Sequence, residues 1–300
     1  MKLSVIVPVH NESDNIVMFY ERIKTVLDEL PKLEAWEVVF VNDASVDDSL
    51  AKILKIKGVD PRIKVITLSR RFGYHAVLAA GLSQVESDLY AMVDVDCEDP
   101  PELLSRFYDA IRDGFDVAYG VRSNREEPGV ITFLRKMFYY ANKWIADSEI
   151  VIWMAEFALI TRQVRDAIIL PNTTHPFFRA EIGYVGFKRL GVPYLRAKRL
   201  HGKSHYNLFK MARFGVLGIL SSSTFLLRFV LYVAAIIGVL FPVWVYIGDF
   251  TNAEAANLAI IFSFYFLLIA LPVIALYLAR TYKNGVGRPL FVIDHKQTFL

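Results

Sequence analysis

Residues 91–101, AMVDVDCEDPP, place Asp94, Asp96 and Asp99 just where an apolar run ends. Asp94 and Asp96 stand at i and i+2, so in an extended segment their side chains leave the same face. Two carboxylates held together repel, and one pKa rises unless something positive lies between them. A hard divalent cation meets that need, and Mg²⁺ typically takes one or two carboxylates plus substrate phosphate oxygens. The pair therefore points to Mg²⁺ or Mn²⁺ with a nucleoside diphosphate. Asp-x-Asp alone is a weak signal; its place at a strand end gives it weight. Asp99, followed by Pro100, Pro101 and Glu102, reads instead as a helix start, with an acid at or near the N-cap and proline in the first turn.

The elements that must position these groups are legible in the first two hundred residues. LSVIVPV, EVVFVNDAS, IKVITLS, LYAMVDVD and DVAYGVR are short apolar runs rich in β-branched residues. After the first, Ile16, Phe19, Tyr20, Ile23, Val26, Leu27 and Leu30 recur at helical spacing, with Ser13 or Asp14 available as cap. Further helices are expected around Asp47–Lys57, from about His75 and from Pro101. The alternation predicts an α/β fold with a mostly parallel sheet and helices on both faces. Ligands of such sheets bind outside the carboxyl ends of the strands. Polar residues crowd there: His10, Asn11 and Glu12 after the first strand, Asn42 and Asp43 after the second, Ser69, Arg70 and Arg71 after the third, Asp94 and Asp96 after the fourth. Each alone could be a cap or a solvated turn. Together they mark a site.

The chain has 300 residues, of which 54% are hydrophobic, and the excess sits at the C-terminal end. The runs 229–248 and 258–279 carry no charge, and about 20 residues of helix cross a hydrocarbon core of roughly 30 Å. Arg213 and Arg228 precede the first run, and Arg280, Lys283 and Arg288 follow the second. The connector DFTNAEAAN holds Asp249 and Glu254 and no base. The positive-inside rule then predicts a multi-pass protein of the plasma (inner) membrane with both termini cytoplasmic. MKLSVIVPVH is too short an apolar run for a signal peptide. The expected organisation is a catalytic domain over 1–205, an interfacial amphipathic segment over 206–226, two spans within 227–280 and a cytoplasmic tail over 281–300. The single cysteine, Cys97, excludes an internal disulfide. A net charge of +3 gives no reason to expect nucleic acid. Yet residues 196–213 hold Arg196, Lys198, Arg199, Lys203, Lys210 and Arg213 and no acid, beside a span where anionic phosphates or headgroups lie.

Seven stretches, VIVPVHNE, VVFVNDASVDDS, LSRRFGYHAVLAAGL, VDVDCEDPPELL, DVAYGVRSNR, RLHGKSHY and GVGRPLFV, carry a resemblance over nearly the whole chain. The chain resembles family-2 glycosyltransferases of the GT-A fold. Within them it resembles the polyprenyl-phosphate branch that includes dolichol-phosphate mannose synthases and bactoprenol glucosyltransferases. The resemblance implies inverting transfer of a sugar from a nucleoside-diphosphate sugar to undecaprenyl or dolichyl phosphate at the cytoplasmic face of the bilayer, with Mg²⁺ or Mn²⁺. It implies that Pro8, Val9, His10 and Glu12 line the nucleotide and that Asp43 reaches the base or ribose. Gly73 and Asp94 fall on the nucleotide-sugar rim, and Asp96, with Asp94, on the metal. Arg196, Arg199, Lys203 and Ser204 fall in the segment that holds phosphate on donor or lipid. The catalytic set it implies is Asp96, Glu156 and Arg199.

Three departures stand out. In WMAEFALITR, Glu156 occupies the place of the aspartate in the family's Gly-Asp-Phe, the proposed acceptor-side acid. RRFG carries Arg71 where the family has asparagine, and Ser204-His205-Tyr206 replaces Ser-Lys-Tyr. These leave the metal pair intact and the sugar open. A processive polysaccharide synthase shares the fold, but the chain has no Gln-x-x-Arg-Trp stretch and too few spans for a polymer channel. Retention of both Asp94 and Asp96 argues against a non-catalytic nucleotide-binding subunit. Donor base, polyprenol and oligomeric state, a homo-oligomer included, stay open, and the GVGRPLFV tail has a likeness but no mechanism.

Overall fold

The computed structural model describes residues 1–124, 154–169, 178–197, 223–248 and 251–300. Seven strands, β1 (Lys2–Val9), β2 (Ala35–Asn42), β3 (Ile63–Thr67), β4 (Leu89–Met92), β5 (Val117–Asn124), β6 (Met154–Thr161) and β7 (Arg189–Leu195), form one sheet in the order β3-β2-β1-β4-β6-β5-β7. β1 is parallel to β2 and β4, β2 to β3, and β5 to β7; β6 alone is reversed against β4 and β5. The mostly parallel sheet expected from the alternation is present.

Both faces are covered, which is why the strands are apolar throughout. Leu3, Val5, Val7 and Val9 of β1, with Val38 and Phe40 of β2, pack under α1 (Ile16–Glu29), α2 (Ser49–Val59) and α4 (Leu104–Arg112). Ile6, Val39 and Val41 face the opposite side, under α3 (Tyr74–Gln84), α5 (Arg162–Ile169) and α6 (Phe178–Val185). The cap of α1 is Asn15, not Ser13 or Asp14, and its side chain makes no capping bond; Asn15 Nδ2 donates instead to Glu12 Oε2 at 2.6 Å. On the first face Tyr20, Arg62 and Asp60 close a polar clasp, with Arg62 and the Tyr20 hydroxyl donating to the Asp60 carboxylate. The Arg62 guanidinium holds the Asp60 carboxyl down at about 2.

Two long apolar helices follow, α7 (Phe225–Ile247) and α8 (Asn252–Gly285). Both are long and apolar enough to cross a membrane. A capping box between Thr251 and Glu254 starts α8. Phe241 and Trp244 pack on Phe262 across the pair, with ring centroids at 5.8 and 6.3 Å. The helices overrun the charge-free stretches: Arg228 lies in the second turn of α7, and Arg280 and Lys283 ride the last turns of α8. The 206–226 segment lies outside the described residues up to 222, and its last two residues already belong to α7.

Beyond α8 the chain returns to the sheet. Val65 and Phe299 exchange backbone hydrogen bonds of 2.8 and 2.7 Å, and Leu68 bridges Ile293. The tail thus covers the free edge of β3, where unpaired amides would otherwise invite another chain.

Helix α3 lies close against β1 and β2 because residue 81 has no side chain. A Cβ at Gly81 would overlap Ile6 Cγ2 and approach Val41 Cγ2 to 3.1 Å. Gly81→Ala should destabilise the sheet and its helices by about 1–3 kcal/mol through forced overpacking. Chemical denaturation followed by tryptophan fluorescence reads this as a lowered midpoint. An unchanged midpoint would mean that the helix shifts without cost.

Candidate active site

The loops after β1 and β2 are stitched to each other. Asn11 N donates to Ser45 Oγ at 3.0 Å, Val46 N to Asn11 Oδ1 at 2.9 Å, and Glu12 N to Ser49 Oγ at 3.0 Å. His10 Nδ1 lies 2.9 Å from the Asp43 carbonyl oxygen. Asn11 and Ala44 hold left-handed backbone, at φ of 56° and 50°, a conformation that costs a residue with a Cβ. Asp43 is 3% exposed, and its two carboxylate oxygens accept the amides of Phe72 at 2.7 Å and Gly73 at 2.9 Å. The carboxylate expected to reach the nucleotide therefore first orders the loop after β3. Gly73, at φ 96°, sits where a side chain would be strained and starts α3. Pro8 is partly exposed at the end of β1, whereas the Val9 side chain lies in the core and its carbonyl accepts Asp43 N at 2.9 Å. Arg70 and Arg71 are exposed beside this loop, Arg70 stacking 4.0 Å over the Phe72 ring.

β4 ends at Met92, so Asp94 and Asp96 lie in the loop beyond it and not on the extended segment expected. Val95 and Asp96 form a turn, followed by Cys97 at φ 54°. Asp96 Oδ1 accepts Glu98 N at 3.1 Å. Asp94 Oδ1 accepts the Tyr74 hydroxyl at 2.8 Å. Burial pushes the Asp94 carboxyl up to about 7, and the Asp96 and Asp99 charges add to the rise while the Tyr74 hydrogen bond opposes it.

Asp99 is not a helix cap. Pro100 precedes the 3-10 turn Pro101–Leu103 that leads into α4, with no capping side chain. Asp99, 2% exposed, instead pairs with Arg122 Nη2 of β5 at 2.8 Å and accepts the Tyr194 hydroxyl of β7. Partners 23 and 95 residues away in sequence outcompete the local cap because the burial of Asp99 demands a cation.

Glu156, on β6, forms an ion pair of 2.7 Å with Arg179 Nε at the start of α6. His75 stacks on Phe178 at 6.0 Å and meets Tyr74 edge-on at 5.5 Å. Burial pushes the His75 imidazole below its usual value, against the pull of Glu156. The Glu156 charge also acts on Tyr74 and Asp94. One continuous rim thus runs from Arg179 and Glu156 through His75 and Tyr74 to Asp94. Tyr74 and His75 lie inside the quoted LSRRFGYHAVLAAGL stretch, but nothing in sequence assigned them a role. Arg122 lies inside the quoted DVAYGVRSNR stretch, likewise without an assigned role, and Arg179 carried no signal at all.

Of the basic segment, Arg196 is described. Its guanidinium pairs with Glu98 and lies 3.7 Å from Asp99, so its charge is committed to the acidic loop. Arg199, Lys203 and Ser204 lie outside the described residues.

Among the described residues no three His, Cys, Asp or Glu side chains converge on one point. A divalent cation completed by substrate phosphates needs only one or two carboxylates. Burial, with the Asp96 and Asp99 charges added, disfavours the ionised Asp94 carboxylate, and an incoming cation would favour it. The residues fit Mg²⁺ or Mn²⁺ in that shared form.

Comparison with known proteins agrees with this geometry. The model of "Glycosyl transferase family 2" matches residues 4–178. An uncharacterized glycosyltransferase, YkcC, of Bacillus subtilis is 33% identical, the alignment covering 98% of this chain and 94% of that protein. The bactoprenol glucosyl transferase of Shigella phage SfV is 31% identical over 99% of each chain. Among solved structures, the mannosyltransferase PcManGT from Pyrobaculum calidifontis, in complex with GDP-Man and Mn²⁺, matches with a TM-score of 0.50 at 17% identity. That alignment covers 73% of this chain and 63% of the mannosyltransferase, and it supports the GT-A fold. The chain belongs to glycosyl transferase family 2 and is a glycosyltransferase.

Proposed function

We propose that the enzyme transfers a sugar from a nucleoside-diphosphate sugar to a polyprenyl phosphate at the cytoplasmic membrane face, with inversion at the anomeric carbon. The observation that carries this reading is one rim on which the Asp94–Asp96 loop and the Glu156–Arg179 pair stand together, in a chain that goes on to form two bilayer-length apolar helices. Full-length likeness to proteins named bactoprenol glucosyl transferases supports the lipid acceptor. The charge pattern supports the topology: Arg228, Arg280 and Lys283 stand at the domain-side ends of the helices and Glu254 at the connector.

The chemistry asks little of a base. A phosphate monoester is already ionised at neutral pH, its second pKa being about 6. An acceptor oxygen forms the new bond to the anomeric carbon as the bond to the donor's diphosphate oxygen breaks, and the nucleoside diphosphate leaves with the electron pair. Bound at Asp94 and Asp96, Mg²⁺ or Mn²⁺ would neutralise charge on the diphosphate. The protein's own residues align the reactants. Asp43 orders the loop carrying Phe72 and Gly73 on the nucleotide side. Tyr74 fixes the Asp94 carboxyl. Arg179 fixes the Glu156 carboxylate, and in this reading Glu156 positions the acceptor. Arg199, Lys203 and Ser204 would supply the phosphate contacts.

Detergent-purified protein given undecaprenyl phosphate, Mg²⁺ or Mn²⁺ and a panel of UDP- and GDP-sugars should form a glycosyl-phosphoryl lipid from one donor, seen by mass spectrometry of the extract. Asp96→Asn should abolish it. Hydrolysis or polymerisation of a sugar by the wild type, with no such lipid from any donor, would remove the lipid-phosphate acceptor from the proposal.

Glu156→Gln should lower kcat by about 100-fold through misplacement of the acceptor with the donor KM close to wild type, because the change keeps the shape and removes the charge on the acceptor side. Steady-state kinetics at saturating lipid separates the two constants. A rise in donor KM with kcat preserved would move Glu156 to the nucleotide side.

A further inference from the structure

The segment after α8 has no part in the chemistry above, yet it is bound to the sheet with unusual completeness. Three alternate residues of the β3 edge meet it. Val65 exchanges two backbone bonds with Phe299 at 2.8 and 2.7 Å. Thr67 donates its amide to Thr298 Oγ1 at 3.0 Å and its hydroxyl to the Gln297 carbonyl at 2.8 Å, and accepts Asp294 N at 2.8 Å. Ser69 N donates to the Val292 carbonyl at 2.8 Å. The tail carries its own internal brace: the Asp294 carboxylate accepts Lys296 N at 3.0 Å and Gln297 Nε2 at 3.0 Å, closing the 3-10 turn His295–Gln297. Phe291 and Ile293 pack on the same hydrophobic cluster as Phe72 and Tyr74.

Covering an edge would require only the bonds at Val65 and Thr67. The contact instead continues past the end of β3 to Ser69, three residues before Phe72. On the other side Leu68 N donates to the Asn42 carbonyl at 2.9 Å, directly before Asp43. Residues 68 and 69 are thus held from both flanks, by β2 through Asn42 and by the tail through Val292. The chain then delivers the Phe72 and Gly73 amides to the two oxygens of the Asp43 carboxylate. Asp43 in turn presents its carbonyl to His10. Five residues separate the end of α8 at Gly285 from Phe291, a reach of at most about 20 Å, so the same tail tethers this loop to the second apolar helix.

We propose that the tail Phe291–Phe299 is a positioning element of the donor site: docked on β3, it fixes the Ser69–Gly73 loop that orders Asp43, and so sets affinity for the nucleotide. The nucleotide half rests on the function proposed above; the loop half does not. Removing one docking bond should weaken the loop's hold by the worth of that bond, about fivefold, and donor affinity should change by the same factor where the two are coupled.

Asp294→Pro in the full chain deletes the amide bonded to Thr67 at a residue whose φ of −84° is near the range proline adopts. Asp294→Ala keeps that amide and removes only the brace. Hydrogen exchange in detergent, resolved by mass spectrometry, should show residues 69–74 exchanging about fivefold faster in Asp294→Pro, with β1 and α1 unchanged and a smaller effect in Asp294→Ala. Calorimetric titration with UDP and with GDP, each with Mn²⁺, should show weaker binding of the preferred nucleotide in the same order. A chain ending at Gly287 removes the docking outright and should exceed both. If its residues 69–74 exchange as in wild type, the tail only covers an edge and the proposal fails. Faster loop exchange with unchanged nucleotide affinity would overturn the coupling to the donor. Binding of neither nucleotide to wild type, with the loop effect present, would overturn the nucleotide reading of this rim and leave the tail's hold on the loop standing.

Discussion

Negative charge crowded at the ends of β4 and β6 is the constraint around which this domain is arranged. Asp94, Asp96, Glu98 and Asp99 fall within six residues of one loop, and the Glu156 charge reaches them from the neighbouring strand. Carboxylates this close and this shielded cannot all stay ionised without partners. The fold supplies cations from three directions: Arg122 of β5 to Asp99, Arg196 beyond β7 to Glu98, and Arg179 of α6 to Glu156. Asp94 is treated differently. It meets the neutral Tyr74 hydroxyl, and its carboxyl rises to about 7. A phenol orients a carboxylate without cancelling its charge. The protein thus gives Glu98, Asp99 and Glu156 an arginine each and gives buried Asp94 a neutral donor.

This division orders the rest of the sheet. β5 and β7 are parallel neighbours through most of their length, and Arg122 and Tyr194, one from each, converge on Asp99. That junction joins the acidic loop to the chain that runs on through Arg196 into the basic segment. On the opposite flank, Asp43 joins the loops after β1, β2 and β3 by donating its amide to the Val9 carbonyl and accepting the Phe72 and Gly73 amides at its carboxylate, where strain at Asn11 and Ala44 is held by side-chain bonds to Ser45 and Asn42. The rim is a set of loops cross-braced by buried carboxylates, which suits a reaction that depends on alignment more than on a strong base.

Much of this was legible in the sequence where the determinants are local. Five strands and the first four helices follow from runs of β-branched residues and helical spacing, and the two apolar helices from absence of charge. The same local reading failed where distant partners decide. Asp99 looks like a cap because Pro100 and Pro101 follow it; only the fold brings Arg122 and Tyr194 to it. The fourth apolar run extended through VDVD because Val93 and Val95 continue LYAM, yet registered pairing with β1 and β6 stops at Met92. The family resemblance implies that Val9 lines the nucleotide, and period-two alternation sends its side chain to the core. Arg179 and the region from β6 to β7 gave no pattern, since short elements with mixed burial carry weak periodicity.

Glu156 shows how such a rim absorbs a change at its centre. A glutamate where the family resemblance implies aspartate extends the carboxylate by one methylene, and a longer side chain with freer rotamers holds its charge less well in place. Arg179 restores the restraint: an ion pair to Nε, from a residue at the first turn of a helix packed on the sheet, limits where the carboxylate can point. The same helix presents Glu181 toward Arg280 near the end of α8. There, burial pushes the Glu181 carboxyl up while the arginine opposes the rise. One short helix thus braces the Glu156 carboxylate from its first turn and carries Glu181 within reach of the Arg280 charge. Placement of Glu156 therefore depends on how α6 is docked as well as on its own length.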